Sequence, residues 1–273
     1  MNLVTIFISA GTMLGMAVIF SYILGWANNA FRVEIDPRAE AALDVLPGAN
    51  CGGCGFVGCG DYASAVAAGE ASVNICTVGG PGCAAKLAAI MGVELEETFP
   101  NYAIVHCGAH NEDRLQCSEY LGEQSCFTAN LVNGIQGCVY GCLGFGDCVK
   151  ACAYDAIQVV DGLAAVDYDK CIGCGVCAKA CPRNIITITP FKKNPMLVVK
   201  CANHDAGKAV KGVCKTGCLG CKACAKISST FTITDNLSVI DYDEYIQVDT
   251  EELDKAVKKC PVKCLVFVEE SSD

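Results

Sequence analysis

Twenty-three of the 273 residues are cysteine, and most of them fall in groups separated by two to five residues. Thiols that close together in sequence do not brace a fold. As thiolates they can wrap an ion or an iron–sulfur core. The odd count and the tight spacing both favour ligation in a reducing compartment over a disulfide framework in an oxidising one. The first group is Cys51, Cys54, Cys59 and Cys76, spaced x2, x4 and x16. Four thiolates so placed can surround one cubane of iron and sulfide. The interleaved glycines let backbone N–H groups come close to its sulfides. All-cysteine zinc is the rival reading, but zinc sites favour two C-x2-C knuckles over this asymmetric set.

The second group is denser. Cys138, Cys142, Cys148 and Cys152 are followed by Cys171, Cys174, Cys177 and Cys181, with Pro182 behind the last. The second half of this pattern is the run found in bacterial ferredoxins, where the fourth cysteine of each run crosses to the other cluster. That rule predicts one cluster on Cys138, Cys142, Cys148 and Cys181, and another on Cys171, Cys174, Cys177 and Cys152. Ala153 stands where a proline usually follows the fourth cysteine. Residues 156–167 read as two short strands about an Asp-Gly turn.

A degenerate copy follows. The stretch from Cys171 to Cys181 matches Cys218 to Ser228, and Asp167 to Cys171 matches Asp241 to Tyr245. Ser228 and Tyr245 thus replace two ligands of one cluster. Its other two are replaced by Thr250 to Lys259, which reads as a helix capped by Thr250. The remaining cluster's set survives as Cys218, Cys221, Cys224 and Cys260, the last before Pro261; Cys214, aligned with Cys138, is a rival ligand. Cys83 and Cys264 read as small core residues. Cys107, Cys117, Cys126 and Cys201 stand at long spacings that build no set, and His106 and His110 read as packed or hydrogen-bonded side chains.

These groups need elements to hold them. No charged side chain occurs from Met1 to Phe31, and the apolar run Leu3 to Ala27 is long enough to cross a bilayer. No Lys or Arg precedes it and no A-x-A site follows, so an anchor is favoured over a cleaved signal peptide. Arg32 and Arg38, mixed with Glu34 and Asp36, follow it and place the rest of the chain on the cytoplasmic side of the membrane. Gly11 and Gly15, then Ser21 and Gly25, give the small-xxx-small spacing at which another helix can approach. Residues 61–69 and 83–91 are alanine-rich with helical periodicity. The expected architecture is α+β: a single-pass anchor (1–31), a small helical 4Fe–4S domain (32–100), an acidic connector (101–137), a two-cluster ferredoxin-like domain (138–190) and a degenerate ferredoxin-like repeat with one cluster (191–273).

Formal charge is −10, which argues against nucleic acid as a partner. Lys192, Lys193, Lys200, Lys208, Lys211, Lys215, Lys222 and Lys226 nevertheless lie together, with Asp205 the one acid between Pro190 and Lys226. A basic stretch beside a cluster on an acidic chain is a candidate docking surface for an acidic redox partner. No G-x-G-x-x-G fingerprint, P-loop or catalytic triad is legible.

Three features together resemble one family, the B subunit of the Rnf electron-transport complex. They are the stretch Val45 to Ala63, the N-terminal apolar helix, and Gly137 to Cys148 with the ferredoxin run behind it. The resemblance covers essentially the whole chain. It implies an electron-transfer subunit with about four 4Fe–4S clusters and no active site of its own. Electrons would pass from soluble reduced ferredoxin toward flavin-bearing and NADH-binding subunits, coupled to movement of Na+ or H+. The alternative is a soluble iron–sulfur subunit of a corrinoid or one-carbon enzyme, in which the first cluster motif also occurs.

Overall fold

The computed structural model describes residues 3–31, 36–95, 99–132 and 134–269. Arg32 and Glu34, two of the charges that follow the apolar run, lie outside them. Helix α1 (Leu3–Ala30) has 28 residues. Its segment Phe7–Ala30 has a mean hydropathy of 1.9 and buries none of its length against the rest of the chain. At about 1.5 Å per residue it exceeds the roughly 30 Å of bilayer hydrocarbon. Gly11, Gly15 and Gly25 have open space around them, free for another helix.

Three short helices follow: α2 (Pro37–Val45), α3 (Cys59–Ala67) and α4 (Gly80–Met91). Asp36 caps α2 by accepting from Arg38 N at 2.8 Å, and Pro37 opens the helix where no N–H is needed. Gly92 ends α4 at φ 68°. Ala42, Tyr62, Val66, Leu87 and Ala88 meet in a core where alanines pack around Tyr62 and Leu87, and Cys83 is buried among them.

The rest of the chain repeats one topology twice. The first unit runs β1 (Asn101–Val105), α5 (Cys126–Asn130), α6 (Asp147–Lys150), β2 (Ile157–Val160), β3 (Leu163–Val166), α7 (Val176–Ala180) and β4 (Ile186–Pro190). Its outer strands β1 and β4 pair antiparallel, with Ala103 opposite Ile188. Between them β2 and β3 form a hairpin closed by Asp161 and Gly162 at φ 46° and 74°, the two-residue turn that matches strand twist. The second unit runs β5 (Met196–Val199), α8 (Gly207–Val213), β6 (Phe231–Thr234), β7 (Leu237–Ile240), α9 (Thr250–Lys259) and β8 (Leu265–Val268). Again the outer strands pair, β5 with β8, around a hairpin, β6 with β7, turned by Asp235 and Asn236 at positive φ. The stretch expected to be an acidic connector therefore supplies an outer strand, β1.

One detail differs at α9. Its N-cap is Asp249, which accepts from Glu251 N, rather than Thr250. A carboxylate one residue earlier takes the exposed first-turn donor.

The second unit fills with side chains a place where its counterpart has cysteines. Tyr245, aligned with Cys171, is fully buried with Leu253 and Ala256. Its hydroxyl accepts from Leu197 N at 2.8 Å, on strand β5. Ser228, which precedes the β6–β7 hairpin as Cys152 precedes β2–β3, is buried 3.1 Å from the Thr230 hydroxyl. Tyr245→Phe should therefore orphan a buried strand N–H and cost about 1–3 kcal/mol. Thermal unfolding of the variant should show a lowered midpoint with its iron content unchanged.

Candidate metal centres

Five cavities of similar size, about 320–400 Å³, are each ringed by at least four cysteines. The first lies in the helical domain between Cys51, Cys54, Cys59 and Cys76. The second is bounded by Cys152, Cys171, Cys174 and Cys177. The third has Cys126, Cys142, Cys148 and Cys181. The fourth has Cys107, Cys138, Cys201 and Cys214. The fifth has Cys218, Cys221, Cys224, Cys260 and Cys264.

Local structure explains how the thiols are aimed. In the first site Asn50, at φ 46°, accepts from Cys59 N at 2.8 Å and folds the glycine loop over the start of α3. Gly79 N donates to Cys76 Sγ at 3.4 Å. In the second, Gly173 at φ 66° packs against the Asn101 backbone so tightly that a Cβ would collide with it. In the third, Cys126 opens the short helix α5. Asp147 holds it there, accepting from Phe127 N at 3.0 Å and from Ser125 Oγ at 2.8 Å. These two donors keep the Asp147 carboxyl below its ordinary pKa despite an opposing contribution from burial.

Burial pushes the Cys148 thiol up to about 12, with Cys142, Cys126, Cys181 and Cys177 adding repulsion. It likewise raises Cys177 to about 11 and Cys201 to about 11. Crowded buried thiols favour the protonated form until a cation replaces the proton. In the fifth site Cys264 lies 3.6 Å from Cys260 Sγ. Its hydrogen bonds hold the Cys260 and Cys218 thiols below the ordinary range, against the opposing effect of burial.

The cavities suit a polynuclear core better than one ion. Among the described residues, no group of three or more His, Cys, Asp or Glu is placed to hold a single metal ion. A zinc tetrahedron would need four sulfurs converging at about 2.3 Å from one point. Thiols ringing a void instead match a cubane, whose irons lie between the sulfurs and the centre.

The cavities also lie in succession. A Cβ on Gly53 would sit 2.9 Å from the Cys174 carbonyl, so the first loop touches the second site. Cys148 and Cys177, from the third and second sites, share one core. Cys142 N lies 3.5 Å from Cys107 Sγ, joining the third to the fourth. Cys218 N donates to Cys201 Sγ at 3.2 Å, joining the fourth to the fifth.

The ferredoxin spacing rule puts Cys138 with Cys142, Cys148 and Cys181; the structure puts Cys126 there instead. Arg183 donates to the Cys138 and Gly141 carbonyls at 3.0 and 2.7 Å, and Gln136 to the Cys138 carbonyl at 2.8 Å. These bonds hold the loop with Cys138 Sγ toward Asn203 Nδ2, 3.4 Å away. Cys214 lines the fourth cavity rather than the fifth. Cys117 is exposed. His106 is tied to the Val199 carbonyl and Thr187 hydroxyl, at 2.8 and 2.7 Å. Spacing does not group Cys107, Cys126 and Cys201 with the cysteines they meet in these cavities, because those partners lie far off in sequence. Their one signal is that they are cysteines with no other role.

Two family models match the chain: FeS, an Fe-S cluster motif, over residues 46–78, and Fer4, a 4Fe-4S binding domain, over residues 164–187. Whole-length relatives agree. The B subunit of the Na(+)-translocating ferredoxin:NAD(+) oxidoreductase complex of Acetobacterium woodii is 39% identical, over 95% of this chain and 77% of its own length. The B subunit of the ion-translocating oxidoreductase complex of Methanosarcina acetivorans is 36% identical, over 86% and 90%. The proton-translocating counterpart of Clostridium ljungdahlii is 36% identical, over 100% and 95%. The chain therefore belongs to the B-subunit family of the Rnf, or ion-translocating ferredoxin:NAD oxidoreductase, complexes, and it is a membrane-associated electron-transfer subunit carrying 4Fe–4S clusters.

Proposed function

We propose that this chain is the complex's relay between soluble reduced ferredoxin and membrane-side subunits that bear flavin and bind NADH. The observation that carries this reading is the unbroken succession of cysteine-lined cavities, each touching the next through a backbone group or a shared core. Each cluster, when bound, supplies a one-electron carrier. The chain's own residues hold it by thiolates, keep water out and place N–H groups against sulfur. Cys51, Cys54, Cys59 and Cys76, then Cys152, Cys171, Cys174 and Cys177, then Cys126, Cys142, Cys148 and Cys181, and Cys218, Cys221, Cys224 and Cys260 would each hold one. The two strand-paired units would be tandem ferredoxin-like modules, the second having lost one site.

Helix α1 is the proposed single-pass anchor, with the cysteine domains on the cytoplasmic side. It carries no charged side chain, so a path for Na+ or H+ belongs to partner subunits. NAD binding is likewise assigned to a partner, since this sequence has no dinucleotide fingerprint. The apolar, unpacked α1 disfavours a soluble corrinoid-enzyme subunit.

Ferredoxin would dock near the fifth site. Cys221 is exposed there, and Lys208, Lys211, Lys222 and Lys226 are exposed around it. Other lysines of the segment are engaged: Lys192 with Asp243 at 2.6 Å, Lys193 with the Val248 carbonyl, and Lys215 with the Glu112 carbonyl. On a chain that is otherwise strongly acidic, these positive side chains would steer an acidic carrier to one end of the relay.

Reversing charge at Lys211, Lys222 and Lys226 to Glu should slow stopped-flow reduction by ferredoxin several-fold at low salt. The difference should fade as the screening length falls below about 8 Å. Equal rates at every ionic strength would move the docking face elsewhere. Cys126→Ala should remove about four iron atoms per chain, the content of one cubane, and the EPR signal of the site it shares with Cys142, Cys148 and Cys181. Cys117→Ala should leave iron unchanged. If Cys126→Ala also keeps its full iron, the spacing-rule set with Cys138 is restored.

A further inference from the structure

We infer that Cys107, Cys138, Cys201 and Cys214 hold an additional 4Fe–4S cluster that couples the two strand-paired units. This deepens the electron-relay reading and rests on it. The four thiols come from four separated segments, two in each unit. Cys107 follows β1 and Cys201 follows β5, the equivalent outer strands. Cys138 lies in the loop before α6, and Cys214 ends α8. A seam between the units fixes this arrangement. Leu115 N donates to the Val213 carbonyl at 2.9 Å, and Lys215 N to the Asp113 carbonyl at 2.8 Å.

The thiols are already surrounded by donors. Asn203 is 2% exposed; its Nδ2 lies 3.4 Å from Cys138 Sγ, and its backbone N lies 3.4 Å from Cys201 Sγ. Cys218 N and Cys142 N point at Cys201 Sγ and Cys107 Sγ. Thiols that accept several N–H groups are arranged as cluster-bound thiolates are. Glycine clears the approach: a Cβ on Gly141 would lie 3.5 Å from Cys138 Sγ and 3.8 Å from Cys107 Sγ.

Charge points the same way. Arg114, 8% exposed, lines the cavity, and its buried Nε has no hydrogen-bond partner in the protein. Its other nitrogens donate to the Cys142 and Gly162 carbonyls and to Asn111 Oδ1. Lys200 also lines the cavity, and no Asp or Glu does. A buried guanidinium and an ammonium facing four neutral thiols would be a costly arrangement. Facing an oxidised cubane with four thiolates, which carries about −2, both cations are matched.

The place in the relay follows. Without this site the third and fifth cavities are joined by protein alone. With it, one electron arrives from the side of Cys142 or of Cys218 and one leaves on the other. No bond is made or broken, and reduced ferredoxin supplies the electrons.

The test is iron, zinc and acid-labile sulfide per chain in the full protein purified anaerobically, with EPR after reduction. About 20 iron atoms are expected, five cubanes of four. The double variant Cys107→Ser with Cys201→Ser should lose about four iron and one EPR component and keep the rest. A wild-type count near 16 that the double variant leaves unchanged overturns this inference and leaves the relay reading standing. One zinc atom per chain, lost in the double variant, overturns it too. A chain with no iron at all would instead overturn the relay reading itself.

Discussion

Every feature of the soluble part answers to the cost of burying thiolate. Burial first, then repulsion from neighbouring thiols, pushes Cys148, Cys177 and Cys201 up to about 12, 11 and 11, which favours the protonated form of each. Iron replaces those protons and fills the space, which makes cluster binding part of folding. The organic elements can then be very short. Strands of four or five residues and helices such as α6, with four, would be marginal alone. Here they are flanked by the cysteines that line the cavities.

The second strand-paired unit shows the same topology with side chains at one of these places. Its outer pair and hairpin persist, but Tyr245, Leu253 and Ala256 are packed together where the counterpart has thiols. Tyr245 closes the gap with both its ring and its hydroxyl, which takes over an N–H of β5. The amphipathic α9 brings Leu253 and Ala256 inward and ends at Cys260, delivering a ligand of the neighbouring site. The same helix thus packs an apolar core on one side and lines a cysteine cavity at its end. The two units keep one strand pairing around different interiors.

What is legible in the sequence divides along contact range. Cys51, Cys54 and Cys59, or Cys171, Cys174 and Cys177, are brought together by one loop each, so spacing alone names them. The Asp161-Gly162 and Asp235-Asn236 turns are equally local. Cys107 and Cys201 are different. They follow strands whose partners lie about eighty and seventy residues away, and only the β1–β4 and β5–β8 pairings set their position. Cys126 needs the Asp147 carboxylate to hold α5, a contact with no signature in spacing. At Cys138 spacing and structure differ: in a run spaced x3 and x5, Arg183 and Gln136 set the loop's course, and Cys138 lines the fourth cavity.

The order of the sites in space is not their order along the chain. The first site touches the second through Gly53 and Cys174, and the second borders the third through Cys177 and Cys148. Yet Cys142 and Cys148 precede Cys171 in sequence. The inversion comes from ligand crossover: Cys152 belongs to the later run's cavity, and Cys181 to the earlier one's. Crossing ligands tie each cavity to the backbone of its neighbour, so neither can shift without moving both. The spacing between carriers is thereby fixed by covalent chain rather than by side-chain packing. Fixed spacing suits the proposed one-electron relay, because tunnelling depends steeply on distance.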